Sequence, residues 1–321
     1  MNWKVPYIDL PAQYQSLKPE LDAAITRVMA SGRYIGGEEV ERFEAALGRY
    51  LGVKHVVSCG NGYDALYMAL KVIGASIDDN SSLVCTKDYT HVSTHAAVEN
   101  AGYGATLVTK AYPMNSVGLH IPVHMNGRCV FPCAEGPDYV IEDACQAIGA
   151  SYEDTKAGTY GIMGCFSFHP MKVLGCAGDG GAIVTNDDDL DAKVRAYRNH
   201  GGGKGYGVNS RLDAIQAAIL NVKLPHLDKW IARRRAIAAL YEELLPAWVK
   251  KPPAPSDGPY FDTYSSYVIG GSPELLAHLR GKGIECFSHI RTDVVSLPIY
   301  PEMKDSHIAM VVAAVKGYTN G

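Results

Sequence analysis

Long apolar runs and clustered basic charge are both absent from this 321-residue sequence. A membrane-spanning helix needs about 18 or more successive apolar residues, and binding to nucleic acid or to an anionic membrane needs grouped lysine and arginine. Here 30 basic residues are spread among 34 acidic ones, for a net charge of −4. We therefore expect neither a membrane nor a nucleic acid as partner. The first residues lack the apolar core of a signal peptide, which predicts a cytoplasmic protein.

Cysteine is present, but its spacing matches no common framework. The eight cysteines (59, 85, 129, 133, 145, 165, 176 and 286) fit neither a disulfide set nor paired zinc ligands. Cys129 and Cys133 lie near His124 and could begin a metal site, but a second pair of ligands is missing. We expect reduced thiols and no metal. The sequence also has no internal repeat and no Gly-x-Gly-x-x-Gly after its first strand, which argues against solenoids and nicotinamide dehydrogenases.

The composition and the hydrophobic pattern predict an α/β protein. With 47% hydrophobic and 20% charged residues the chain can form a sizeable core, and its length suggests two domains. After two amphipathic helical patterns, apolar and β-branched runs alternate with further helical patterns, as in a mostly parallel sheet covered on both faces. The predicted strands are His55–Ser58, Leu83–Thr86, Thr106–Thr109, His120–Val123, Tyr139–Ile141, Cys165–Phe168 and Ala182–Thr185.

The C-terminal part has a different pattern. Residues 211–245 are helical and rich in Ala, Leu and Arg, and Pro225 marks a break between two helices. A Pro-rich turn at 250–255 precedes a shorter mixture of predicted strands (Tyr264–Ile269 and Ile284–Ser288) and helices (Leu275–Leu279 and Ile308–Val315). We therefore predict a large domain, residues 1–225, followed by a connector helix and a small α+β domain, residues 226–321.

The segment Asn61-Gly62-Tyr63-Asp64-Ala65-Leu66 follows the first predicted strand and begins a helix. Free backbone N–H groups and the positive end of the helix dipole would point at one spot, which suits a phosphate group. The motif alone is not specific, because a glycine before a helix often serves only as a tight turn.

Two acids, Glu142 and Asp143, directly follow the predicted strand Tyr139–Ile141. Ligands of an open parallel sheet bind at the carboxyl ends of its strands. A buried aspartate at that edge can hold a proton on the ring nitrogen of a bound cofactor, an interaction on the order of several kcal/mol. It can equally cap the helical segment that follows.

A hydroxyl and an amine, Ser167 and Lys172, lie at the end of another predicted strand, before the glycine-rich run Gly175–Gly181. A lysine that is partly desolvated in a pocket can form a Schiff base. By itself, Lys172 could also be a solvated surface lysine. The later run His200–Gly205 lacks the spacing of a nucleotide-binding P-loop, and Asn209 and Arg211 after it could bind an anion or cap the next helix.

Taken in order, these segments resemble the DegT/DnrJ/EryC1/StrS family of sugar aminotransferases, which depend on pyridoxal phosphate (PLP). The resemblance covers most of the chain and implies the fold-type-I architecture, with a mostly parallel seven-stranded sheet between layers of helices. Blocks similar to those of the family are Ile8–Leu10, Ser31–Gly37, Phe43-Glu44, Asn61–Leu66, Ile121–His124, Ile141–Ala147, Ser167–Lys172, Gly178–Thr185 and Asn209–Leu220.

The resemblance implies roles around the cofactor ring. Lys172 corresponds to the Schiff-base lysine, which also carries the proton between the donor and the cofactor. Asp143 corresponds to the partner of the pyridinium nitrogen, and Gln146 lies near the ring hydroxyl. His91 takes the position where the family usually stacks an aromatic residue on the ring.

The resemblance also implies a phosphate site and an assembly. Gly62, Tyr63 and Ser167 would hold the phosphate, although Tyr63 stands where threonine is common. Asn209 matches a residue that reaches the phosphate of the neighbouring subunit, which implies a homodimer with composite active sites.

The implied reaction alternates PLP with its aminated form, pyridoxamine phosphate. L-Glutamate donates the amino group, and a keto-sugar accepts it, most similar to nucleotide-linked 3-keto-deoxysugars. His289 and Arg291 are candidate substrate contacts, in a region shorter than in the family. Two alternatives stay open: a PLP-dependent sugar dehydratase, although those relatives replace the lysine with histidine, and a non-catalytic regulatory paralogue that binds PLP.

Overall fold

The computed structural model describes residues 3–74, 83–108, 118–130, 139–256, 258–288 and 291–318. The helices in these ranges are α1 Leu10–Ser16, α2 Lys18–Ser31, α3 Glu38–Leu51, α4 Gly62–Gly74, α5 Val92–Asn100, α6 Asp188–Tyr197, α7 Ala214–Lys223, α8 Leu227–Leu244, α9 Pro273–Gly281 and α10 Asp305–Lys316. The strands are β1 His55–Cys59, β2 Leu83–Lys87, β3 Gly104–Val108, β4 Leu119–Ile121, β5 Tyr139–Asp143, β6 Ser151–Tyr152, β7 Thr155–Lys156, β8 Met163–Ser167, β9 Gly181–Thr185, β10 Tyr260–Phe261, β11 Tyr267–Gly270 and β12 Val294–Leu297.

Seven strands form one sheet in the order β1-β9-β8-β5-β4-β2-β3. The five strands from β8 to β3 in this order run parallel to one another, and β9 is antiparallel to both of its neighbours, β1 and β8. The predicted α/β class with a mostly parallel seven-stranded sheet is therefore confirmed, and each of the seven predicted strands overlaps a strand of this sheet.

Both faces of the sheet are covered, as the continuous apolar runs predicted. Alternate residues of one strand point to opposite faces, so Val56 and Val57 of β1 belong to different hydrophobic clusters. The cluster with Val56 includes side chains of α3 and α7, and the cluster with Val57 includes most of the apolar side chains of α4. The sheet is thus buried between helices, which leaves its carboxyl edge as the place where a ligand can enter.

Local signals account for several helix ends. Helices α2 and α3 end at Gly32 and Gly52, which adopt left-handed φ values of 66° and 77° that favour glycine. Helix α6 begins after Asp187, whose side chain accepts hydrogen bonds from two backbone N–H groups of the first turn. The break predicted at Pro225 is a 3₁₀ turn, Leu224–His226, between α7 and α8.

A third hydrophobic cluster, the small-sheet cluster, lies around the two-stranded sheet of β11 and β12. It combines Val5 near the start of the chain, Tyr241 of α8, and apolar residues of α9 and α10. The strand predicted at Ile284–Ser288 is wrong, because in this segment the structure has isolated bridges at Ile284 and Phe287 instead of a strand. Phe287 bridges Ser296 of β12, a strand that the sequence pattern did not reveal.

In the described part of the chain, no helix combines the length and the apolar character that crossing a membrane requires. Among the same residues, no group of three or more His, Cys, Asp or Glu side chains could hold a metal ion. Cys133, which the C-x3-C spacing singled out, lies outside the described residues.

Candidate active site

A cavity of about 610 Å³ opens at the carboxyl ends of β5 and β8 and extends to the small sheet. Most of the residues predicted from the sequence to bind a cofactor line it. These are Gly62, Tyr63, His91, Asp143, Gln146, Ser167 and Lys172. The topology explains the convergence, because parallel strands bring the residues at their carboxyl ends to one edge of the sheet.

One end of the cavity is built around the N-terminus of α4, which begins at Gly62. The Asn61 side chain accepts a 2.8 Å hydrogen bond from the Asp64 N–H, which fixes the first turn. A Cβ at Gly62 would lie 2.7 Å from Ser167 Cβ and 2.8 Å from Cys145 Sγ. Only glycine therefore lets the loop approach β8 this closely, and the N–H groups of the first turn point away from the helix, as an anion site requires.

Asp143, the last residue of β5, is 4% exposed and faces the cavity. One carboxylate oxygen accepts a 2.7 Å hydrogen bond from Thr94 Oγ1, and the other accepts a 3.2 Å bond from the Cys145 N–H. Thr90 Oγ1 lies 3.0 Å from Thr94 Oγ1, and both threonines are buried. The carboxylate is thus oriented from two sides. Thr94 was not predicted from the sequence, although it lies only four residues after Thr90, at the start of α5.

Glu142, the neighbour of Asp143, points to the opposite face of β5 and does not line the cavity. It accepts hydrogen bonds from His124 Nε2 at 2.8 Å and from the N–H groups of Gly158 (2.8 Å), Tyr160 (2.6 Å) and Gly161 (2.7 Å). His124 Nδ1 accepts from the Val130 N–H, so Nε2 carries the proton. The two adjacent acids therefore have different roles. Asp143 lines the cavity, whereas Glu142 is buried and hydrogen bonds loops to the sheet.

Lys172 lies in the loop after β8, half-buried at the cavity. Its backbone N–H donates a 2.8 Å hydrogen bond to the His169 carbonyl. The glycine-rich run that follows is anchored to α7, because Gln216 accepts from the Ala177 N–H at 2.8 Å and Lys223 donates to the Gly175 carbonyl at 2.7 Å. The glycine-rich loop is therefore held against a helix, and it adds Asp179 to the cavity lining.

His91 and Gln146 are held by backbone contacts at the cavity. His91 Nδ1 accepts a 3.2 Å hydrogen bond from the Ser93 N–H at the start of α5. Partial burial, followed by the positive charge of Lys172, lowers the pKa of His91, which keeps its ring neutral at pH 7. Gln146 Oε1 accepts a 3.1 Å bond from the Asn126 N–H.

Asn209 does not line this cavity and is exposed on the surface of the chain. Its neighbour Ser210 is buried and connects the same segment to the loop that precedes α4. Ser210 Oγ accepts a 2.9 Å hydrogen bond from the Gly60 N–H and donates a 2.6 Å bond to Asp64. The segment bearing Asn209 is thus fixed beside the start of α4, with the Asn209 side chain directed to the exterior.

Of the two candidate substrate contacts, only Arg291 belongs to the described residues, and it does not line the cavity. His289 lies outside the described residues. Arg291 is exposed, pairs with Asp293, and has its guanidinium carbon 5.6 Å from the centre of the Tyr89 ring. Because Tyr89 lines the cavity, Arg291 lies one residue behind the lining.

The comparisons with known proteins agree with the geometry. The DegT/DnrJ/EryC1/StrS aminotransferase family model matches residues 15–111 and 121–289. A pleiotropic regulatory protein of Geobacillus stearothermophilus is 35% identical, with 97% of both chains covered. The dTDP-3-amino-3,4,6-trideoxy-alpha-D-glucose transaminase of Streptomyces venezuelae is 37% identical, and the match covers 92% of this chain and 84% of that protein.

A similar solved structure is that of S. venezuelae DesV in complex with a ketimine intermediate. It has a TM-score of 0.86 and 32% identity, and 97% of each chain is covered. The family model alone spans well over half of this sequence. The chain therefore belongs to the DegT/DnrJ/EryC1/StrS aminotransferase family, whose aminotransferases use pyridoxal phosphate.

Proposed function

We propose that this PLP-dependent sugar aminotransferase transfers an amino group from L-glutamate to a nucleotide-linked keto-sugar of the 3-keto-deoxysugar type. The observation that carries the proposal is that Lys172 and Asp143 line one cavity in a member of an aminotransferase family. The sugar is supported by relatives such as the dTDP-3-amino-3,4,6-trideoxy-alpha-D-glucose transaminase named above.

The residues present fit pyridoxal phosphate. The close approach of Gly62 to Ser167 and Cys145 brings the start of α4 and the Ser167 hydroxyl together in the cavity lining. This supports Gly62, Tyr63 and Ser167 as the residues that would hold the phosphate. At the other end of the ring site, the buried Asp143 carboxylate would hold the proton on the pyridine nitrogen, while Thr94 and the Cys145 N–H keep the carboxylate oriented.

When bound, pyridoxal phosphate supplies an electron sink for the carbon next to the transferred nitrogen. Lys172 Nζ would bind the cofactor at its aldehyde carbon. As a free amine, Lys172 would serve as the general base and acid that takes up and releases the proton moved in the reaction. The neutral His91 ring would pack against the cofactor ring, and Gln146 would lie near the ring hydroxyl.

The proposal includes a homodimer. Asn209 is exposed but rigidly connected, through Ser210, to the loop that begins α4. This arrangement supports Asn209 as a residue that reaches the phosphate of a second copy. We also propose the division into residues 1–225 and 226–321, which is supported by the separate hydrophobic clusters of the large and small sheets, with Val5 returning to the second unit.

A second candidate is a PLP-binding regulator without turnover, favoured by the name of the G. stearothermophilus relative. That function does not require a lysine and an aspartate to face the same cavity, whereas amino transfer does. The dehydratase alternative is disfavoured because the chain keeps Lys172 where those relatives have histidine.

The deciding experiment is an absorbance spectrum of the purified chain with PLP, before and after L-glutamate is added. We expect a visible band that L-glutamate converts to the spectrum of the aminated cofactor, and that a nucleotide-linked keto-sugar then restores. A visible band that L-glutamate leaves unchanged would favour the regulator or a different donor. Absence of a band would contradict the assigned cofactor site.

A further inference from the structure

The small sheet forms one wall of the cavity. In β11 and β12 the residues alternate between two faces. One face points into the small-sheet cluster and carries Tyr267, Ile269, Val295 and Leu297. The opposite face lines the cavity with Val268, Val294 and Ser296, joined by Ser265 and Ser266 just before β11. This wall therefore combines serine hydroxyls with small apolar side chains.

Two of these hydroxyls have no partner within the described residues. Ser296 is 1% exposed, and its Oγ makes no hydrogen bond. Ser265 Oγ is also buried and unpaired. By contrast, Ser266 Oγ lies 3.4 Å from Tyr7 OH. A buried hydroxyl without a partner destabilises a protein, so two of them at one cavity indicate that a ligand supplies the missing hydrogen bonds.

The backbone beside Ser265 is held in an unfavourable conformation. Tyr264 has a φ of 47°, in the left-handed region that residues with a side chain rarely adopt. The fully buried Arg234 donates hydrogen bonds to the Tyr264 carbonyl at 3.2 Å and to the Ile299 carbonyl at 2.6 Å. Tyr264 OH donates to the Pro253 carbonyl at 2.7 Å. The surroundings thus impose the turn that precedes the serines, as is typical of residues that position a binding site.

The chemistry of the wall fits a sugar better than a carboxylate. Tyr7 and Phe287 line the same region, with ring centres 4.9 Å apart in an edge-to-face arrangement. Lys172 is the one lysine or arginine among the described lining residues. Aromatic rings and hydroxyls match the C–H faces and hydroxyl edges of a sugar ring, whereas a carboxylate is best bound by a guanidinium or an ammonium group.

We propose that Ser296 and Ser265 determine specificity by hydrogen bonding a ring hydroxyl of the acceptor sugar. This inference rests on the proposed function, and it adds that the acceptor keeps at least one hydroxyl on the side facing the small sheet. A site that is built to bind a substrate hydroxyl discriminates strongly against the analogue that lacks it, because its own polar groups then stay unpaired.

The test measures the sugar half-reaction in reverse, by mixing the PLP-loaded protein with dTDP-linked 3-amino sugars in single turnovers. The probes are a parent 3-amino-3,6-dideoxyhexose and analogues that lack the 2-hydroxyl or the 4-hydroxyl. We expect Ser296→Ala and Ser265→Ala to weaken apparent binding of the parent by about tenfold. The same substitutions should not affect binding of the analogue that lacks the partner hydroxyl, nor the half-reaction with L-glutamate.

Tyr267→Phe is the matched control. The Tyr267 hydroxyl is also buried and unpaired among the described residues, but it belongs to the core face of β11. Removal of this hydroxyl should leave the apparent binding of every sugar probe unchanged. The inference would be overturned if the serine variants weakened the reactions of all sugar probes and of L-glutamate equally, or if they changed the binding of no sugar. Either result would leave the proposed function standing. If the unmodified protein converts none of the sugars, the proposed acceptor fails and the inference fails with it.

Discussion

The two walls of the cavity differ in how their polar groups are satisfied. At the edge of the large sheet, both oxygens of Asp143 already accept hydrogen bonds from the chain. At the small sheet, Ser296 is equally buried but has no partner in the described part of the chain. The first wall is organised before any ligand arrives, and the second is completed by one. This difference suits a constant cofactor on one side and a selected substrate on the other.

The largest expected effect is that of Lys172→Ala. We expect amino transfer to fall by at least about a thousandfold and the visible band of the bound cofactor to disappear, because no other lysine lines the cavity in the described residues. Lys172 is half-buried, and its side chain makes no hydrogen bond or ion pair within the described residues, so the free energy of unfolding of the cofactor-free protein should change by less than about 0.5 kcal/mol. Normal transamination by this variant would contradict the assignment.

Asp143→Asn should have the next largest effect. The amide cannot hold a proton on the ring nitrogen, so the rate should fall by about a hundred- to a thousandfold while the cofactor still binds. The matched control is Glu142→Asp, which shortens the buried acid on the opposite face of β5. Since Glu142 accepts hydrogen bonds from His124 and from three backbone N–H groups, that variant should lower the urea midpoint more than Asp143→Asn does.

Thr94→Val tests whether the orientation of the carboxylate matters beyond its presence. Loss of the 2.7 Å hydrogen bond to Asp143 should slow transfer by about tenfold and shift the pH dependence of the cofactor's absorbance. Thr94→Ser keeps the hydroxyl and should restore both. If Val and Ser behave alike, Thr94 contributes only packing, and the cofactor wall is less organised than its hydrogen bonds indicate.

The same contrast explains what the sequence could predict. Buried parallel strands are continuous apolar runs, and the polar residues at their ends meet at one edge, so the positions of Asp143, Ser167 and Lys172 made them candidates. Position alone left open that Asp143 caps a helix and that Lys172 is a solvated surface lysine. The family resemblance then supplied their roles. Gly62 was identified from its place at the start of a helix, and the structure adds a second reason for a glycine there, namely the approach of Ser167 and Cys145.

The small-sheet wall left no comparable signal. Strand β12 has four residues, and its alternation of Val294 and Ser296 with Val295 and Leu297 is too short to distinguish from a loop. Its partner segment around Phe287 forms only isolated bridges, although its apolar residues predicted a strand. From the sequence, serines in such a segment cannot be distinguished from surface residues, because their burial depends on tertiary contacts. For a related reason the sequence revealed neither Thr94 nor the structural role of Glu142, since both roles depend on residues far away in the sequence.

The smallest effect on activity is expected for a substitution of His120 in β4. This substitution also tests whether an unpaired buried polar group away from the cavity affects only stability. Its Nδ1 is buried without a partner among the described residues, as is Ser296 Oγ, but His120 does not line the cavity. Burial, with a further contribution from His124, lowers its pKa to about 4. Between pH 6.5 and 4 the unfolded chain binds a proton at this residue and the folded chain does not, so stability decreases as the pH falls. The loss approaches roughly 3 kcal/mol below pH 4.

In urea titrations at pH 7 and pH 5, His120→Leu should therefore reduce the acid sensitivity of folding and leave sugar selectivity unchanged. By contrast, Ser296→Ala should change sugar selectivity without altering the pH dependence of folding. If the two variants exchange these effects, unpaired groups do not distinguish the ligand wall from the core.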